Sequence, residues 1–195
     1  PHPGRMGQIG RPTVARARLA AVVRHRRRPV PCHAVQAFLV LPLATPAAKA
    51  VDLQRYLGRW YEIARIDHSF QKGCVASTAE YSLREDGDVR VINSCRKIST
   101  DGKISSIEGR AWIQDKNTNA WLKVQFFWPF AGDYVIIDLD GKDYSYAVVG
   151  HPSREYLWVL SRTPQMEDGL YDEIMERIAK QGYDLKRIKK YPQAK

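Results

Sequence analysis

From Arg59 onward, apolar and polar residues alternate in eight stretches of strand length, each closed by turn-forming residues. The stretches run 59–66, 75–84, 88–96, 104–114, 120–127, 134–140, 144–150 and 156–162. Between them lie Glu85-Asp86-Gly87, Asp101-Gly102, 115–119, 129–132, Asp140-Gly141-Lys142 and Gly150-His151-Pro152. None of these gaps has room for a crossover helix, so successive strands must run antiparallel. The period then changes. Leu170, Ile174 and Ile178 recur every four residues with Tyr171 and Met175 beside them, which predicts one helix begun by Glu167 and Asp168 and stopped at Gly182. Its apolar stripe needs a cover, and the outside of the sheet is the large surface available. The pattern predicts an all-β fold, an eight-stranded antiparallel up-and-down barrel with one C-terminal helix packed outside.

Alternation also assigns faces, with Trp60 as the reference. If Trp60 points inward, Glu62 and Ala64 share its side while Tyr61 and Ile63 face the helix. Ala120, Leu122, Val124 and Phe126 form the inner face of the fifth strand, against Lys123 and Gln125 outside. Parity groups Tyr81 with Leu83, Asn93 with Val91 and Cys95, and Trp158 with Leu160. The expected interior is apolar with a few polar groups, namely Glu62, Tyr81 and Asn93, as in a pocket for a chain or ring with one polar end. Eight-stranded barrels also occur with packed interiors, so the pattern leaves a filled barrel open. Loops after the odd-numbered strands gather at one end, which puts Phe70, Trp128 and Phe130 at the mouth. There they either cap the core or touch a lipid interface. Cys74 and Cys95 fall at the same end. A disulfide between them would pin the first loop, although the hairpin register sets Cys95 opposite about Thr78 and so requires that loop to curl back.

Charge changes the picture in one respect. The 195 residues carry a formal net charge of +10, which by itself suggests nucleic acid or an anionic surface as partner. Nine of the 31 Lys/Arg lie in residues 1–50, which hold no acid, leaving 22 basic against 21 acidic groups in the remainder. No nucleic-acid partner is expected. The leader reads as a secretory signal: Arg24-His25-Arg26-Arg27-Arg28, an apolar run over 34–44, then Ala48-Lys49-Ala50 with cleavage expected after Ala50. Residues 1–23 are long for such a segment, and an arginine-rich tail is the other reading. Cys32 precedes the apolar run, so a lipid anchor through this leader is not expected; the domain over 51–195 would be exported to the periplasm or envelope.

Gly58, Trp60 and Tyr61 match a G-x-W-[YF] motif, and Arg162 ends the last strand where a cation can lie flat on the indole. With Tyr56-Leu57-Gly58, Glu80-Tyr81-Ser82-Leu83, Val91-Ile92-Asn93 and Leu160-Ser161-Arg162-Thr163-Pro164, the chain from Val51 to about Tyr191 resembles the lipocalin family. The resemblance implies binding of fatty acids, lysophospholipids or similar amphiphiles in the calyx, without chemistry on the ligand and without cofactor or metal. It implies ligand contacts from Tyr81, Asn93 and Trp158. An enzyme would draw on Glu62, Cys74 or Cys95, and His68 or His151, which form no recognisable set in sequence. A filled barrel acting as an interaction module is the third class. The pattern does not choose between monomer and homodimer.

Overall fold

The computed structural model describes residues 47, 48 and 50–194. Among these, eight antiparallel strands close on themselves: β1 (Gly58–Ile66), β2 (Cys74–Leu83), β3 (Val89–Lys97), β4 (Ile104–Ile113), β5 (Trp121–Phe127), β6 (Phe130–Leu139), β7 (Tyr146–Gly150) and β8 (Leu157–Ser161). Each pairs with its neighbours in sequence, and β1 pairs with β8 and, over Gly58–Tyr61, with β2, which closes the ring at its base. A single turn of helix, α1 (Leu53–Tyr56), enters below β1, with Asp52 accepting from the Gln54 and Arg55 N–H groups as its cap. After β8 comes α2 (Asp168–Lys180), then β9 (Ile188–Lys190). The basic leader, with Cys32, falls outside the described residues.

Two apolar layers hold this together. Inside the barrel, Trp60, Ala79, Tyr81, Val89, Val91, Ala111, Leu122, Ile136, Ala147, Val149 and Leu160 form one cluster. Outside, Ile174 and Ile178 of α2 are fully buried against Val135, Ile137, Val148 and Val159. Each such aliphatic contributes about 1.5–3 kcal/mol by leaving water. Arg177 fastens the same helix through Asp138 at 2.8 Å, and Gly182, at φ +86°, takes the left-handed turn that ends the helical segment.

The expected faces hold except at one place. Glu62 pairs with Leu160, but Ala64 pairs with Val159, so Ile63 is an extra residue opposite a single register step. This bulge reverses parity. Ala64 turns outward to the helix layer, not inward, and Arg65, opposite Trp158, takes the inward side. A second irregularity between Val75 and Thr78 corrects the cysteine register. Ala76 sits there at φ +46°, Cys74 pairs with Lys97, and the Cys74–Cys95 disulfide forms diagonally with the Cα atoms 5.4 Å apart, so the loop does not have to curl back. The break expected over 129–132 is also shorter. β6 starts at Phe130, directly after a cis Trp128–Pro129 bond.

β2 parts from β1 after Tyr61, and β9 takes up the vacated edge at Ala64–Ile66. The chain beyond β9 then bridges the gap. Tyr191 N–H donates to the Ile63 carbonyl (2.9 Å), the Pro192 carbonyl accepts from Ala76 N–H (2.9 Å), and Gln193 Nε2 donates to the carbonyls of Glu62 (2.6 Å) and Ser77 (3.3 Å). Ahead of α1, the Ala48 N–H donates to the Ile136 carbonyl at 2.7 Å, so this residue of the expected cleavage region contacts the barrel.

Candidate functional site

The barrel has a sealed floor. Gly58, at φ +92°, turns the chain from α1 into β1 and delivers Trp60 to the base, where the indole is fully buried and its N–H donates to the Tyr56 carbonyl at 2.8 Å. The Arg162 guanidinium lies 3.7 Å from the Trp60 ring centroid, as the motif pair suggests. It also donates to three backbone carbonyls, those of Arg59 (3.0 Å), Arg55 (2.6 Å) and Tyr144 (3.3 Å). One side chain therefore staples α1, β1 and the β6–β7 turn.

Above the indole, the hydroxyl of Tyr134 sits 2.8 Å from those of both Tyr56 and Tyr81. Burial holds all three phenols in their neutral form, with Tyr81 pushed up to about 12. The space they share with Leu53, Leu57, Val89, Val91, Ala111, Leu122 and Val124 is small, about 20 Å³, room for roughly one water.

Higher up, the interior opens. Asn93, Ile107, Val124, Phe126 and Trp158 sit on inward registers yet remain only half-buried, whereas Val89, Ala111, Leu122 and Leu160 on the same faces below are buried. The barrel is thus packed at its base and accessible toward its mouth. Gly109 contributes to the shape, because the Phe126 ring lies where a side chain would stand, with Cδ1 2.6 Å from the position of an added Cβ.

A polar chain crosses the upper interior and ends on the first loop. A short 3₁₀ turn, Ser69–Gln71, carries Gln71, whose amide accepts from Trp158 Nε1 (2.9 Å) and donates to Glu62 Oε2 (2.8 Å). The other carboxylate oxygen of Glu62 meets Arg65 Nη1 at 2.5 Å, and Arg65 Nη2 donates to the Cys74 carbonyl at 3.0 Å. Burial raises the Glu62 carboxyl above the usual carboxylate range, and the Arg65 charge opposes the shift. Glu62 is therefore committed to Arg65 and to Gln71 of the β1–β2 loop, residues 67–73, the lid of the barrel. The sulfurs of Cys74 and Cys95 are joined to each other, and His68 has a hydrogen bond at neither ring nitrogen. His151 holds Ser153 at 2.8 Å.

Of the residues expected from sequence, Tyr81, Leu122 and Val124 line the same deep space, while Asn93, Phe126 and Trp158 stand above it and Glu62 joins Trp158 through Gln71. Phe70, Trp128 and Phe130 are exposed at the mouth. Sequence reasoning missed Arg65, because a bulge leaves no mark in an alternation. It missed Gln71 because that residue lies in a loop. Tyr56 and Tyr134 carried a signal, since one opens the Tyr56-Leu57-Gly58 segment and the other opens the sixth strand stretch, and a phenol buried in a barrel needs a partner. The rim is also more apolar than three rings: Ile98 (87% exposed), Ile104 and Phe127 stand beside Phe70, Trp128 (86%) and Phe130, all on loops or strand ends of one end of the barrel.

A family model described as a lipocalin-like domain matches residues 51–193. The chain is a lipocalin. Membership brings the family's general activity, binding of small hydrophobic molecules. This lipocalin is 44% identical over 151 residues to the outer membrane lipoprotein Blc of Vibrio cholerae, a match covering 77% of this chain and 87% of that one. It is 31% identical over 158 residues to mouse apolipoprotein D, covering 76% and 80%. Among solved structures, insecticyanin from the tobacco hornworm superposes with a TM-score of 0.62 at 20% identity, over 77% of this chain and 85% of that one, which supports the fold alone. The Blc name describes a lipoprotein, contrary to the expectation of an unanchored product here; the leader that bears on anchoring lies outside the described residues.

Proposed function

We propose that this lipocalin binds and carries single-chain amphiphiles, fatty acids or lysophospholipids, in the upper half of its barrel, and that it exchanges them by transient contact with a membrane surface in the cell envelope. The carrying observation is the gradient along the interior, from a buried base to half-buried Asn93, Val124, Phe126 and Trp158 beneath a rim of exposed apolar side chains. An acyl chain fits an apolar shaft that opens at one end, and the rim supplies a surface that a lipid interface can cover. Location in the envelope is supported by the lipoprotein naming of the bacterial relatives.

Protein isolated from an expression host should release a single-chain lipid on organic extraction, identified by mass spectrometry. Added lipid should shift the tryptophan emission. Trp158→Ala should weaken binding more than it lowers the melting temperature, and equal affinity in that variant would remove Trp158 from the site. In vesicle flotation, the double variant Trp128→Ser/Phe130→Ser should lose about tenfold or more in partitioning, since each ring leaves an interface it had entered. Unchanged flotation would argue against membrane contact through the rim.

A further inference from the structure

Four rings crowd the mouth beside the lid. Tyr156 and Trp158, two residues apart at the start of β8, present nearly parallel rings with centroids 6.2 Å apart and planes 9° apart. The imidazole of His68 packs against both, at 5.7 Å from Tyr156 and 5.4 Å from Trp158, and Phe70 closes over it in a stack at 3.6 Å. His68 thus occupies a box with aromatic walls on three sides.

It is a poor occupant. Both ring nitrogens are buried, and neither has a hydrogen-bond partner among the described residues. An imidazole in that position gives up the hydration of its nitrogens and receives ring contacts and the approach of the Gln71 amide, short of a formed hydrogen bond, in return. Burial, with the nearby Arg65 charge, keeps the ring neutral by drawing its pKa down to about 4. Next to the box opens a groove of about 420 Å³ bordered by Arg65, Ser69, Lys72 and Tyr191.

We propose that the box formed by Phe70, Tyr156 and Trp158 is a subsite for the quaternary ammonium head of an amphiphile, and that His68 is the plug such a head displaces. The ring faces and the Asp67 carboxylate favour a cation in the box, and Arg65 opposes one. A trimethylammonium is bulkier than a flat imidazole, so the exposed Phe70 ring must swing outward to admit it; it carries its charge on methyl groups that need no hydrogen bonds and is attracted by the faces of aromatic rings. A primary ammonium of the same charge brings three N–H donors, for which the three ring faces offer no acceptor. The expelled imidazole regains water at both nitrogens. A phosphate on the same head would reach the groove, where Lys72 and Ser69 are exposed. The inference rests on the reading of the barrel as an amphiphile site.

The test compares a lysophosphatidylcholine with a lysophosphatidylethanolamine of the same acyl chain, both zwitterionic and differing only in methylation of the nitrogen, by calorimetry at neutral pH on the wild-type protein. The choline lipid should bind about tenfold more tightly. Tyr156→Leu and, separately, Phe70→Leu should bring the two affinities together, each weakening the choline lipid several-fold more than the ethanolamine lipid. His68→Ala should tighten the choline lipid by removing the plug. Equal wild-type affinities, a preference that survives both wall variants, or weaker choline-lipid binding in His68→Ala would each overturn the box. Binding of neither lipid would instead overturn the amphiphile reading beneath it.

Discussion

The two ends of this barrel solve opposite problems. At the floor, every strong group is satisfied by the protein itself: the indole of Trp60 lies between its own hydrogen bond and the Arg162 guanidinium, and three phenols bond one another. At the mouth, apolar side chains stand in water, inward positions are half-exposed, and the lid is held by side-chain contacts, the two bonds of Gln71 on its inner side and the ion pairs of Asp67 on its outer side. The neutral bond to Trp158 contributes about 1 kcal/mol and the one to the Glu62 carboxylate about 1.5–3, little enough for the lid to open without disturbing the base. Stability is concentrated where no ligand enters, and that concentration allows the entry to remain loose.

The comparison breaks if a floor substitution alters binding as strongly as it alters stability. The largest effect should come from Trp60→Ala, which removes the central side chain of the base and leaves a cavity that the surrounding strands cannot refill. A loss of about 3–5 kcal/mol is expected by thermal or denaturant unfolding. Where the variant still folds, its affinity for amphiphile should stay close to that of the wild type.

Next is the Cys74–Cys95 bridge, the covalent link at the loose end, which closes a loop with a sequence separation of 21. Replacing both cysteines by serine should cost about 3 kcal/mol on the chain-entropy argument. Unlike Trp60→Ala, it should also raise amide exchange in the lid, because Cys74 opens β2 directly after that loop and its carbonyl anchors Arg65. If exchange rises equally at the floor, the two ends are not independent.

Arg162→Ala should follow at about 2 kcal/mol, from the loss of the contact with the indole together with bonds to three carbonyls. The motif alone suggests a cation resting on a ring. The structure shows in addition that the same residue ties three segments together, so Arg162→Lys, with a point charge in place of a planar fork, should recover only part of the loss.

How much of this could be read in advance depends on whether an interaction is periodic. The eight strands, the outer helix and the inward set of Leu122, Val124 and Phe126 follow from alternation, which survives in the sequence because one face of each strand meets apolar surroundings. What defeated the reading were single-residue insertions. The extra residue at Ile63 turned Ala64 outward and Arg65 inward, and the irregularity at Ala76 replaced the curled loop with a diagonal disulfide. β9 is three residues long and pairs with a stretch of β1 that β2 leaves bare, a vacancy created only by tertiary structure. The lid network is likewise invisible, since Gln71 and His68 lie in a loop whose conformation no repeating pattern records.

The smallest effect sharpens the comparison most. His68 has a pKa of about 4 in the folded lid, against about 6.5 when unfolded or released into water, first because burial disfavours its charged form and second because Arg65 is near. A base whose folded pKa is depressed contributes stability that is fully present above the unfolded value and is lost as pH falls through the folded one. The relevant window is therefore pH 6.5 down to 4. Because the protonated ring can escape by lid opening alone, the cost should be met locally: emission from Trp158, which borders the box, should change across that window while the cooperative unfolding transition moves little. His68→Phe, which fills the box with a ring that cannot titrate, should remove the His68 part of the change in emission, and His68→Phe/Glu62→Gln should also remove what Glu62 passes to Trp158 through Gln71. A wild-type protein whose melting temperature collapses over the same window would mean that the mouth and the floor open together.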